Sequence, residues 1–263
     1  NASYATGVTH TQGYNSGSAS LAISYTTNAG QVILGGTVNS DGVTARNITI
    51  NTGNGNINFT GAVGGSRGLG NIALTSTGTS TFSSTVVAAS VVQNATTGTT
   101  AINGGSINTT GGVQTYANNV SLGSSATLTA STATFNGTVS GAHGLDIVGN
   151  AVFGNAVADT VSLTGTAKNL SVSGTTTINT NAITTSGAQT YSGSVSIGTN
   201  TTLTTSNADI TFSSTVNSTS SSARTLTIDA GSGTVTINGA VGNSNVLGTT
   251  SITAGSVVTG SGG

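Results

Sequence analysis

Large apolar side chains recur along this chain in a five-residue frame: a large apolar residue, any residue, a small residue, any residue, then valine. The frame opens at Leu34, Phe59, Phe82, Tyr116, Phe135, Phe153, Tyr191, Phe212 and Ile237, and closes at Val38, Val63, Val86, Val120, Val139, Val157, Val195, Val216 and Val241. Residues four apart on an extended strand point to the same face, so each pentad is expected to be one strand with two inward side chains around a small centre. All five phenylalanines and two of the five tyrosines hold the first position. So few aromatics would scatter if the frame were accidental, and the repeat therefore predicts a solenoid.

Successive pentads lie about 18 to 25 residues apart, with two wider gaps in which Ile102–Ile107 and Leu170–Val172 stand as degenerate coils. A coil of that length suits an all-β, parallel β-helix with two or three short strands per turn, separated by Gly, Asn and Ser. About eleven or twelve coils are expected. The strings Thr127–Thr129 and Thr202–Thr204 read Thr-Leu-Thr, polar out and apolar in, so ladders of threonine and asparagine are expected on the outside.

Longer matches support duplication. Thr81–Val86 reappears unchanged at Thr211–Val216, and the block opening Gly112-Val-Gln-Thr-Tyr116 has a counterpart opening Gly187-Ala-Gln-Thr-Tyr191. The frames agree until a small insertion near Asn207, as expected of a loop between strands.

Composition narrows the picture further. Ser, Thr, Asn and Gly dominate and only 3% of residues are charged, which on polarity alone resembles a disordered tract. Disorder normally combines low hydrophobicity with high net charge, whereas here the net charge is −1 and mean hydropathy is +0.15. Without proline every backbone N–H is available to a ladder, and the scarcity of lysine and the lack of glutamate argue against helices. Near-zero charge gives no basic surface for nucleic acid or anionic membrane, and no run of about 18 apolar residues could span a bilayer. No charged n-region with an apolar h-region opens the sequence, as expected of a soluble chain or one whose signal has been removed, and a cysteine-free chain is compatible with an oxidising compartment.

Residues 1–30 differ from the array at 31–263. Tyr4, Tyr14 and Tyr25 fall outside the pentad, and terminal repeats of solenoids are usually atypical. The segment 1–30 is read as a cap or docking segment, with those three tyrosines as candidate subunit contacts. At the other end the alternation runs on from Ser251 into Gly-Ser-Gly-Gly with no evident cap, as expected of a piece of a longer array or an end that meets another molecule.

The chemistry-bearing inventory is short: Arg46, Arg67, Lys168, Arg224, Asp41, Asp146, Asp159, Asp209, Asp229, His10 and His143. Acid–base catalysis needs such groups to cluster, and no cluster is visible along the chain, so the chain is read as no enzyme. His143 and Asp146 stand close in one segment, where a solvated turn is the simpler reading. Hard-cation binding needs several converging oxygen ligands, and the calcium-binding nonapeptide pattern is absent. No cofactor and no metal site are expected. The glycines at 61–70 precede strands rather than the helix a phosphate loop requires. Asn-x-Ser/Thr sequons, including Asn47, Asn94, Asn108, Asn136 and Asn217, are as numerous as this composition makes by chance.

The block Gly187-Ala-Gln-Thr-Tyr191, followed by Gly193, Val195, Leu203, Asp209-Ile210-Thr-Phe212 and Val216, resembles the repeats of filamentous-hemagglutinin-like bacterial exoproteins, including two-partner-secretion adhesins and autotransporter passengers. The resemblance covers most of residues 31–258 as a style of repeat. It implies a right-handed parallel β-helix, export to the bacterial cell surface, and a role in adhesion, aggregation or fibre formation. The family's amino-terminal secretion domain is not in this sequence. The expected function is a structural or adhesive extracellular protein, its partners itself, head to tail, or the rest of a longer repeat chain, with surface glycans as a further partner. The alternative is a glycan-binding or ice-binding module, although uneven coil length argues against the regular threonine lattice that ice requires.

Overall fold

The computed structural model describes residues 2–4, 9–11, 22–40, 44–109 and 111–260, with side chains described from Tyr25 onward. All regular elements among them are strands, and parallel strands stack as a β-solenoid of about 11 turns. The chain forms two compact units, Asn1–Ser131 and Thr132–Gly263.

In the first unit, one sheet stacks Val32–Leu34, Ile57–Phe59, Thr79–Phe82, Thr99–Ile102 and Asn119–Leu122 in parallel. A second stacks Ala22–Thr26, Asn47–Gly53, Leu69–Ser76 and Val86–Gln93. The segments Ser106–Asn108 and Val113–Tyr116 then pair with the two ends of Val86–Gln93. Among the described residues of this unit two pairings are antiparallel: Ala2–Tyr4 against Val32–Leu34, and Thr9–Thr11 against Ala22–Thr26.

The second unit has three strand columns. The first runs through Val139–Gly141, Thr160–Leu163, Ala182–Thr185, Thr201–Thr205, Leu226–Asp229 and Thr250–Thr253. The start of Leu145–Phe153 begins the next, with Leu170–Val172, Gln189–Tyr191, Ile210–Phe212, Thr234–Ile237 and Ser256–Thr259. Its end begins the third, with Thr176–Ile178, Val195–Ile197 and Val216–Ser218. Coil lengths vary, yet these columns keep one register, because the extra residues are taken up in the turns.

The pentad is not one strand, and here the sequence expectation is corrected. At Phe82/Val86, Phe135/Val139, Tyr191/Val195 and Phe212/Val216 the large residue ends one strand and the valine opens the next, while Val38, Val63 and Val241 make single bridges beyond the strand that their large residue ends. The three residues between form a corner, and both ends face inward because the chain has turned about the core.

The small centre has a packing cause. A Cβ on Gly61 would lie 2.5 Å from the carbonyl oxygen of Gly36, at the corner one coil earlier, and one on Gly239 would lie 2.5 Å from that of Ser214. At these glycine corners backbone stacks on backbone, and a side chain pointing back has no room.

Three closing valines are not buried: Val38 is half-buried, and Val157 and Val241 are exposed. Val157 is 57% exposed in a turn closed by Asp159, whose Oδ2 accepts the N–H groups of Asn155 and Ala156. Val241 is 40% exposed despite its bridge to Val216. Within the core, parallel stacking brings like residues together, with ring centroids 5.1 Å apart for Phe59–Phe82, 5.5 Å for Phe135–Phe153 and 5.3 Å for Tyr191–Phe212.

Candidate functional site

The side chains named from the repeat lie inside. Phe59, Phe82, Tyr116, Phe135, Phe153, Tyr191 and Phe212 are fully buried, and Leu34 and Ile237 are buried at the ends of their strands. Of the three candidate contact tyrosines, Tyr25 is buried within this chain. Tyr14, and the side chains of Tyr4 and His10, lie outside the described residues, as does Asp41.

The acidic residues are placed apart. Asp146 is exposed on Leu145–Phe153 opposite Ser171, Asp229 Oδ1 accepts the N–H of Gly231, and Asp209 Oδ1 accepts that of Thr234 in the next coil. Among the described residues no three His, Cys, Asp or Glu side chains converge, and no helix is long and apolar enough to cross a membrane.

The duplicated Gln-Thr-Tyr string is an internal hydrogen-bond device. Tyr116 donates its hydroxyl to Gln114 Oε1 at 2.9 Å, and Gln114 Nε2 donates to the carbonyls of Ile107 and Thr129. The second copy repeats this: Tyr191 donates to Gln189 Oε1 at 2.9 Å, and Gln189 Nε2 donates to the carbonyls of Ile183 and Thr204. A buried phenol needs an acceptor and a buried carboxamide needs partners for both ends, so each satisfies the other.

Burial pushes both phenols well above the ordinary tyrosine range. Their neutral form is thereby favoured in the folded chain. Stability should be level below the unfolded value near 10 and fall above it by about 1.4 kcal/mol per pH unit for each of the two tyrosines. Urea midpoints measured between pH 8 and about 12 would show this slope, and Tyr116→Phe with Tyr191→Phe should remove those two contributions.

Outside the core, asparagine carboxamides link one coil to the next. The Oδ1 atoms of Asn47, Asn56, Asn150, Asn169 and Asn207 accept the N–H groups of Asn71, Thr79, Thr175, Ala188 and Ser232, at 2.7–3.0 Å. In every case the residue just before the donor is glycine, and a Cβ there would strike that Oδ1. An asparagine paired with a glycine one coil later is thus a single device.

A further duplication, legible in the sequence but carried by no aromatic, organises the largest turns. Residues 38–70 align without gaps on 216–248, sharing Val-Asn-Ser, Ala-Arg and Gly-Ala-Val-Gly. Ser40 Oγ donates to the Gly68 carbonyl and accepts the Arg46 N–H, while Ser218 Oγ donates to the Val246 carbonyl and accepts the Arg224 N–H. Asn39 and Asn217 receive the N–H groups of Ser66 and Ser244.

Two surfaces of the second unit could meet a partner. One is the outward face of its first column, where the register aligns Thr160, Ala182, Thr202, Thr227 and Ser251 in one file. Ser162, Thr184, Thr204, Asp229 and Thr253 form the file beside it.

The other is an open groove of about 740 Å³ lined by Thr166, Asn169, Ser186, Ser206, Asn207 and Asp209 among others. It arises because the middle of three successive turns is short. Only residues 186–188 separate Thr185 from Gln189, against 164–169 in the coil before and 206–209 in the coil after. Hydrogen bonds from Gly187 N–H to the Lys168 carbonyl and from Lys168 N–H to Ser186 Oγ hold the short turn down.

Compared with protein-family models, with curated proteins and with solved structures, the chain matches none.

Proposed function

We propose that this chain is an extracellular structural and adhesive β-solenoid, a subunit or stretch of a bacterial surface fibre or large adhesin of the filamentous-hemagglutinin style. The observation that carries the reading is how side chains are allocated. Aromatic and aliphatic groups fill the coils, while hydroxyls and carboxamides are held in register on the outside. Such a surface offers dense hydrogen bonding with little charge, on a scaffold stabilised chiefly by burial and by coil-to-coil ladders.

The test is display of the chain on a non-adherent bacterium, scored for attachment to epithelial monolayers. Attachment above the empty-display strain is expected, and equal attachment overturns the adhesive reading. End-to-end assembly through residues 1–30 is part of the proposal. Negative-stain microscopy should show filaments that lengthen with concentration and vanish on deletion of 1–30, and a strictly monomeric full chain would sink that part. Thermal hysteresis from the same preparation would favour ice binding by the two hydroxyl files instead.

A further inference from the structure

We infer that the groove over residues 186–188 is a binding site for a neutral oligosaccharide. The inference rests on the adhesive reading and gives it a place and a chemical class of target.

The groove's walls are preorganised. On one side the Asn169 carboxamide is fixed by its Oδ1, which accepts the Ala188 N–H at 2.9 Å. On the other, Asn207 Oδ1 is fixed by the Ser232 N–H at 3.0 Å, and Asp209 Oδ1 by the Thr234 N–H at 2.7 Å. Each of these side chains is exposed and keeps a second polar atom, Nδ2 on the asparagines and Oδ2 on Asp209, for another partner. Ligand groups meeting them would not have to order the side chains first, which lowers the entropic cost of binding.

Both walls also carry a non-glycine residue in the left-handed region, Ala167 at φ 51° and Asn207 at φ 61°. The floor is made of small residues, including Gly187, which lies against Asn169 and leaves no room for a Cβ.

The lining selects a ligand by exclusion. It has no aromatic and no large aliphatic side chain, so an apolar ligand finds no anchor. Asp209 is its one ionisable residue, with Lys168 beside Gly165, so neither a polyanion nor a polycation is favoured. What remains is a mixture of carboxamide donors, hydroxyls and one carboxylate acceptor. That mixture matches a molecule whose groups both donate and accept, as sugar hydroxyls do. A volume of about 740 Å³ falls in the range of small-molecule sites and suits an oligosaccharide segment.

The experiment is a printed array of neutral and acidic oligosaccharides probed with the tagged full chain. Wild type should be retained on neutral glycans. Ser206→Trp, an exposed position that would place an indole over the groove, should weaken retention about tenfold or more, the scale of losing one to two hydrogen bonds. Asp209→Asn keeps an oxygen for the Thr234 N–H and should weaken retention of the same glycans, while Ser221→Trp, in an exposed turn outside both the groove and the hydroxyl files, should leave it unchanged. Circular dichroism establishes that each variant is folded.

No retention, retention of acidic glycans alone, or undiminished retention by Ser206→Trp would overturn the inference. Attachment in the display assay with no array retention removes the groove and leaves the adhesive reading standing. Groove-dependent retention without attachment does the reverse.

Discussion

Replacing Phe212 by alanine is expected to destabilise the second unit by about 3–5 kcal/mol, the cost of removing a buried aromatic whose surroundings cannot close. Phe212 is fully buried, and its ring stacks on Tyr191 at 5.3 Å with an interplanar angle of 13°. The strand ladder places Tyr191 on one side of it and Ile237 on the other. In a helical bundle, neighbours could slide into the void. Here the spacing between coils is set by backbone hydrogen bonds at about 4.8 Å, so the cavity persists.

Contacts in a solenoid are made with adjacent coils, so the loss should be local before it is global. Amide exchange should speed up first along Gln189–Tyr191, Ile210–Phe212 and Thr234–Ile237, and the urea midpoint should fall. Phe212→Leu should recover much of the loss. A change under about 1 kcal/mol for the alanine variant would mean that the ring stack is not what holds these coils.

The second large effect is expected at a corner. Gly193→Val should cost about 3 kcal/mol, at the upper end for overpacking, because the obstacle is backbone. A Cβ at Gly193 would stand 2.5 Å from the carbonyl carbon of Gly174 and 2.8 Å from the Thr175 nitrogen, one coil earlier. Moving those atoms means lengthening the ladder between Thr176–Ile178 and Val195–Ile197. Gly65→Ala is the matched control, since its Cβ would meet only the Ala62 Cβ at 3.5 Å, an ordinary contact. Thermal unfolding of the two variants should separate them clearly. Equal midpoints would show that corners have slack and that the small residue there has another cause.

Much of the fold was legible in the chain because a solenoid repeats the same local problem. Each coil must bury a few large side chains and return to the same place, so the inward residues announce themselves with the period of the coil. The least legible duplication is the one that no aromatic marks. The 38–70 and 216–248 blocks place Phe59 and Ile237 at equivalent positions, and their shared Val-Asn-Ser and Ala-Arg strings serve turns rather than the core. The groove was not legible, because it depends on three turns of unequal length lying side by side, and each turn alone reads as ordinary Gly, Asn and Ser.

By itself, the sequence determined that large side chains go inward at a recurring interval, that long helices are disfavoured and that the chain would stack on itself as parallel coils. These follow from periodicity, from side-chain volume and from the want of helix-forming residues. Only the tertiary structure decided that the pentad is a corner rather than a strand. Two residues four apart face the core equally well on a straight strand or around a bend, and the choice between them rests on coil-to-coil stacking. Tertiary structure likewise decided which asparagine holds which backbone N–H and where a short turn opens a groove. Those partners are a whole coil apart in sequence and become neighbours only once the ladder has set their register.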